Sequence, residues 1–226
     1  MSRKRKSASS PVCVIAGAGP GLGAAIAERY ASEGFTSYML LRNPARVTRA
    51  IAPLRKSGLS IVPVRCDVRS QASIAEALDL IDCSGSGCDV VVYNAFANVE
   101  NRATTLTSER MLEDLHVNVA AALSLIRLTI EPMRAVGTGT ILFSGCGLAQ
   151  LPSASKASLS VGKAALRALV DCLAAELEPS GIRVGLVTIN EAAVTGSVRL
   201  ALIADLYWRL FMQSDQESQR EIRWPL

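Results

Sequence analysis

From residue 11 onward, short apolar runs alternate with apolar positions at helical spacing. Residues 12–16 form a continuous apolar run, a predicted first strand, and Leu22, Ala25, Ile26 and Tyr30 then recur at the helical period until Gly34. Residues 37–41 predict a second strand, 46–56 a basic amphipathic helix stopped by Ser57-Gly58, and 60–65 a third strand. Ile74, Leu78 and Ile81 carry the next helix, which runs towards the loop of residues 84–87. Residues 89–93 read as a strand buried on both faces. One long helix is expected to carry Leu112, Leu115, Val119, Leu123 and Ile126 on a common face, with Pro132 in its end region. Residues 140–143 predict a fifth strand. Residues 158–178 predict an alanine-rich helix with Leu166, Leu169, Leu173 and Leu177 on one face. A sixth strand at 182–189, an apolar helix at 198–211 and a short stretch at 221–224 complete the chain. Strict strand–helix alternation implies an α/β domain, a doubly wound parallel sheet between two helical layers with right-handed crossovers.

Composition narrows this picture. The 226 residues suit one domain, placed at 11–226, and half of them are hydrophobic, enough for one core. Aromatics make up only 4%, so that core is aliphatic and alanine-rich. The net charge of +4 includes Arg3, Lys4, Arg5 and Lys6, and residues 1–10 read as a disordered basic tail. No basic stripe with interleaved aromatics follows it, so no nucleic-acid partner is expected. The six cysteines form no CxxC pair and there is one histidine, so no metal site is expected. Cys13 and Cys66 lie in strand-like settings, where a free thiol behaves as a small buried hydrophobe. The basic start is not followed by an apolar signal region, and no uncharged run spans a bilayer. A cytoplasmic protein without a membrane partner is expected.

The chemistry begins at Gly17-Ala18-Gly19-Pro20-Gly21-Leu22-Gly23, between the first strand and the first helix. Glycines there permit a sharp turn, let backbone approach a pyrophosphate and let the helix pack close to the strand. The helix N-terminus then offers free N–H groups and a positive dipole end to phosphates. In this context the pattern predicts a Rossmann-like, three-layer α/β/α domain that binds a dinucleotide.

The spacing of Gly17, Gly21 and Gly23, with Leu22 between the last two, resembles the short-chain dehydrogenase/reductase family. Further residues fall in that family's order. Asp67-Val68 after the third strand resembles its adenine-contacting aspartate, and Tyr93-Asn94-Ala95-Phe96 resembles its Asn-Asn-Ala-Gly element with two changes. Asn118 falls at its helix asparagine, Lys163 in Gly-Lys-Ala-Ala at its ribose-binding lysine, and Gly181-Ile182-Arg183-Val184 at its entry to the sixth strand. The resemblance covers roughly residues 11–195. It implies cofactor contacts at Gly17, Gly19, Gly21, Leu22, Gly23, Arg42, Asp67, Val68, Asn94, Lys163 and Thr195. Leu41 and Arg42 close the second strand, where an acid would hydrogen-bond a ribose 2′-hydroxyl; with Arg46 nearby, NADP is favoured over NAD.

The resemblance also implies a serine, a tyrosine and a lysine that act on a carbonyl or alcohol, supported by an asparagine. Four residues before Lys163 stands Leu159, which cannot donate a proton, and the serine position falls on Cys146 or, with a two-residue shift, on Ser144. Asn118, Ser144, Cys146 and Lys163 are therefore the candidate catalytic residues, with Tyr207 and Lys156 as candidate replacement proton donors. Asn118 also reads as a buried amide bridging backbone groups, and Cys146 as a small filler. The expected function is an NADP-dependent oxidoreductase acting on a small carbonyl or alcohol with a non-standard donor. The alternatives are a non-redox isomerase or cyclase on the same fold, and a catalytically inactive NADP-binding regulatory protein. A homodimer or homotetramer through the helix at 158–178 is expected, although core packing also explains its apolar face.

Overall fold

The computed structural model describes residues 10–81, 87–190, 196–214 and 219–225. The basic tail, most of the loop at 84–87 and Thr195 lie outside them. In chain order the elements are β1 (Val12–Ala16), α1 (Leu22–Ser32), β2 (Thr36–Leu41), α2 (Ala45–Lys56), β3 (Ile61–Arg65), α3 (Gln71–Leu80) and β4 (Val90–Tyr93). There follow α4 (Ser108–Leu115), α5 (Ala121–Val136), β5 (Gly139–Cys146), α6 (Ala157–Leu177), β6 (Ile182–Ile189), α7 (Ser197–Met212) and β7 (Glu221–Trp224).

The strands form one seven-stranded sheet in the order β3-β2-β1-β4-β5-β6-β7, and every pairing is parallel. The chain winds outward from β1 to β3 and then restarts at β4 on the other side of β1. The crevice at this reversal, at the carboxyl ends of β1 and β4, is where doubly wound sheets bind ligands. Alternate strand residues serve two cores. Val14, Val91, Ile141 and Phe143 pack under α3, α5 and α6. Ile15, Val92, Leu142 and Val187 pack under α1 and α7. Cys13 and Cys66 are buried among these side chains.

Two expectations change. The single long helix is interrupted by a π-helical turn at His116–Ala120, between α4 and α5. Such a turn inserts one residue into the helical repeat, so positions before and after it fall out of phase. Leu112 and Leu123 consequently do not share the buried face and remain 67% and 40% exposed. The buried face of α5 is Ala121, Ala122, Leu125, Ile126, Thr129, Ile130 and Met133, and the helix runs past Pro132 to a left-handed Gly137. Second, the leucine face of α6 is core: Leu166, Leu173 and Leu177 are buried against the sheet, with Leu169 packed beside them. Those leucines are not available as a subunit seam.

Candidate functional site

The turn after β1 is held from three sides. The N–H groups of Gly17 and Ala18 both donate to the Leu40 carbonyl at 3.0 and 3.2 Å. Asn94, just beyond β4, donates its side-chain amide to the Gly17 carbonyl at 3.0 Å, and its own N–H to the Ala16 carbonyl. Gly17 has φ +79°, and a Cβ there would lie 2.3 Å from the Ala95 backbone; at Gly23 it would lie 2.5 Å from Ala18 Cα. These two glycines are required by packing. Gly19 and Gly21 are different, because a Cβ on either meets nothing within 4 Å. Their missing side chains leave open space beside the start of α1, whose first turn has Gly21 as its cap and no side-chain capping bond. Unsatisfied N–H groups at a helix N-terminus suit a phosphate.

At the outer end of this groove, Arg42 is exposed at the end of β2. Asp67 and Val68 follow β3, as expected. Asp67, however, is gripped by Arg69, whose Nη2 and Nε donate to its carboxylate at 2.6 and 3.0 Å. The Arg69 hydrogen bonds, with Arg42 as a further nearby charge, hold the Asp67 carboxyl below its usual range. Sequence reasoning missed Arg69, although its place two residues after an aspartate in a turn was a visible signal. His116, exposed at the start of the π-helical turn, meets the Arg69 carbonyl at 3.1 Å.

The inner end gathers Asn94, Asn118, Ser144, Cys146 and Lys163. Lys163 is buried on α6, and its ammonium donates to the Ser144 carbonyl at 2.6 Å. Burial pulls its pKa down to about 8, opposed by the nearby Cys146 thiol. The Phe96 ring, half exposed in the loop after β4, lies over Nζ with its centroid 5.4 Å away. Cys146 is half-buried at the end of β5. Asn118 sits in the π-helical turn, fully buried, and accepts from the Ala97 N–H at 2.9 Å. Gly162 makes room for it, since a Cβ there would lie 2.7 Å from Asn118 Cβ, and Asn118 Nδ2 has no protein partner. Leu159 is buried on α6, one turn before Lys163.

Ser144 points the other way. Its hydroxyl donates to Asn94 Oδ1 at 2.8 Å and meets the Tyr207 hydroxyl at 2.6 Å. Tyr207 is fully buried in α7, and burial raises its pKa well above that of an ordinary phenol. Tyr207, a candidate replacement proton donor, thus faces the core, and its ring anchors Ser144 from beneath the sheet. Lys156, at the start of α6, remains half-buried with its ammonium on Asn98 Oδ1 at 2.6 Å.

A network not foreseen from the sequence fixes the start of α6. The Ser158 hydroxyl donates to the buried Asp114 carboxylate at 2.6 Å, and Asn101 accepts the Ser158 N–H at 3.0 Å. Arg110 donates to the other Asp114 oxygen at 2.8 Å. These bonds tie the loop after β4 to α4 and α6. Among the described residues there is no cluster that could hold a metal ion, and no helix is long and apolar enough to cross a membrane.

Residues 11–198 match the short chain dehydrogenase family. Among curated proteins, the chain is 30% identical over 184 residues to the mouse dehydrogenase/reductase SDR family member 4. That match covers 80% of this chain and 65% of the mouse protein. The pig protein of the same name is 29% identical over 84% of this chain and 71% of its own length. A solved metagenomic short-chain oxidoreductase in complex with NADP is 27% identical with a TM-score of 0.86, covering 96% of this chain and 98% of that one.

Proposed function

Because the chain belongs to the short chain dehydrogenase family, we propose that it binds NADP and acts as an oxidoreductase on a small carbonyl or alcohol substrate. The observation that carries this reading is the open cradle at Gly19 and Gly21 beside the uncapped start of α1. Backbone N–H groups there would hold the pyrophosphate, and Arg42 would hold a 2′-phosphate with no acid at the end of β2 to repel it. The metagenomic relative solved with NADP supports the same choice. Asp67, kept ionised by Arg69, offers an acceptor to the adenine amine, beside Val68.

When bound, the nucleotide supplies or accepts a hydride. The chain's own residues do the rest. Lys163 and Asn118 line the inner end of the pocket, and Lys163 would hold the nicotinamide ribose. Cys146, half-buried at the end of β5, would meet the substrate oxygen, while Ser144 acts through its carbonyl on Lys163 and through its hydroxyl on Asn94. With Leu159 apolar, the proton comes from another group. Lys156 suits this better than Tyr207, whose hydroxyl is enclosed and held as a weak acid by burial. The same apolar Leu159 favours, as a second reading, a non-redox enzyme or an NADP-binding regulator on this fold. Assembly into a homodimer or homotetramer would use Val161 and Leu112, which stay exposed on the adjacent helices α6 and α4.

The test is a fluorescence titration with NADPH and NADH on the wild type and Arg42→Ala. Submillimolar NADPH binding that weakens about tenfold in the variant, roughly the 1.4 kcal/mol of a lost charge-assisted contact, supports the reading. Absence of binding by either nucleotide would overturn it. Hydride exchange with a panel of small carbonyls then separates the oxidoreductase from the second reading.

A further inference from the structure

Between Gly34 and Cys66 the chain carries six cations, Arg42, Arg46, Arg49, Arg55, Lys56 and Arg65, and no acid. All six are exposed, and none of them forms a salt bridge among the described residues. The acids that flank this segment are already engaged, Glu33 by Arg29 and Asp67 by Arg69. Val47 and Ile51 bury the inner face of α2, and the helical repeat sets Arg46, Arg49 and Lys56 along its outer face. Arg65 is the β3 partner of Leu41 and so stands beside Arg42. The arrangement is locally unfavourable. Like charges repel along a helix, and the first turn of α2 holds Arg46 and no acid at the positive end of the helix dipole. Val62 is the one large hydrophobic residue of the segment left exposed, so this face offers charge and little apolar contact.

Topology divides these charges. β2 and β3 are parallel, so α2 carries the chain from the carboxyl edge of the sheet back to its amino edge. Arg42 and Arg46 lie at the outer end of the groove. Lys56 lies about 15 Å beyond Arg46 along the helix axis. Arg55 and Lys56 therefore act on anything in the groove only through space. Resting on the nucleotide reading, we propose that Arg49, Arg55 and Lys56 are a capture surface that draws NADPH to the groove and selects it over NADH before contact. NADPH carries about two more negative charges than NADH, those of its 2′-phosphate. A field of one sign raises the encounter rate of the more highly charged ligand most, and salt screens it within about 10 Å at 0.1 M. Arg42 then holds the arriving phosphate, so capture and retention fall to different residues.

The test separates the two rates. Association and dissociation of NADPH and NADH are followed by stopped-flow fluorescence on the full chain. The wild type is compared with Arg49→Gln/Arg55→Gln/Lys56→Gln, each checked for native circular dichroism. At an ionic strength of about 20 mM the triple variant is expected to take up NADPH about fivefold more slowly and NADH only about twofold more slowly, with off-rates unchanged. At about 500 mM the on-rates of wild type and variant should converge. Arg42→Ala is expected to act mainly on the NADPH off-rate. As a control, Arg127→Gln/Arg134→Gln/Arg209→Gln removes the same charge from α5 and α7 and should slow NADPH less than about twofold. Four results would overturn the capture role and leave the nucleotide reading standing: an unchanged on-rate in the α2 variant, a loss carried by its off-rate, equal slowing of both nucleotides, or an equal loss in the control. Absence of binding by either nucleotide would overturn both.

Discussion

The two ends of the groove along the sheet's carboxyl edge are built from different materials. The outer end is backbone: glycines, a bare helix start and a turn fastened by main-chain bonds to Leu40. The inner end is side chains: Lys163 on a carbonyl, Asn118 in a π-helical turn, and Leu159 where the family resemblance implies a tyrosine. Backbone machinery tolerates few residues at Gly17, where only glycine satisfies both angle and clearance, and at Gly23, where a Cβ would meet Ala18. Side-chain machinery can lose one member while its neighbours keep their places. The glycine end therefore keeps the pattern of the family resemblance, and the end that carries Leu159 departs from it.

The comparison breaks first at Gly17. Gly17→Ala places a Cβ 2.3 Å from the Ala95 backbone at φ +79° and should cost about 3 kcal/mol or more. For a domain of this size that is a melting temperature lower by roughly 6–12 °C in a thermal scan. At the inner end, Asp114→Ala leaves Ser158, Asn101 and Arg110 without their shared acceptor. A loss of about 2–3 kcal/mol is expected by urea denaturation. Gly19→Ala sharpens the contrast, since its Cβ meets no protein atom. Stability should stay within about 0.5 kcal/mol while NADPH affinity falls about tenfold, read by the same titration. An equal loss of stability in Gly19→Ala and Gly17→Ala would erase the distinction between ligand-facing and packing glycines.

The smallest effect lies away from the groove and depends on pH. Glu221 docks β7 onto the sheet and α6, accepting from Arg167 at 2.6 and 2.7 Å and from Thr188 at 2.7 Å. The Arg167 hydrogen bonds hold its carboxyl at about 2, below the ordinary glutamate value of about 4.3. A depressed folded value stabilises above the unfolded pKa, and that stability is lost as pH falls through the folded one. The melting-temperature gap between wild type and Glu221→Gln should be largest near pH 7 and shrink as pH drops from about 4.3 towards 2. A gap that holds constant over that range would mean that the carboxylate's charge does not anchor β7.

Much of the fold was legible in the chain. Residues 12–16 and 182–189 fall on β1 and β6, because buried parallel strands write themselves as largely apolar runs, whereas the short stretch at 221–224 is the edge strand β7, with only Ile222 buried. The helix around Asn118 was not legible as it is. A π-helical turn leaves no compositional mark, and it decided which of Leu112, Leu123 and Leu125 would be buried. In the site, the glycines, Arg42, Asp67, Asn118 and Lys163 could be named from local pattern. Tyr207 on Ser144 and Asp114 on Ser158 could not, these pairs being 63 and 44 residues apart.

The sequence by itself determined the layer architecture, the glycine turn and the absence of a tyrosine four residues before Lys163, since each is a matter of residue type at short spacing. Tertiary structure alone decided which glycines face protein and which face open space, which way Ser144 points, and that Lys163 lies under Phe96 with a carbonyl for its partner. Those outcomes depend on which distant segments the sheet order brings together. Clearance and burial, unlike periodicity, arise only when those segments meet.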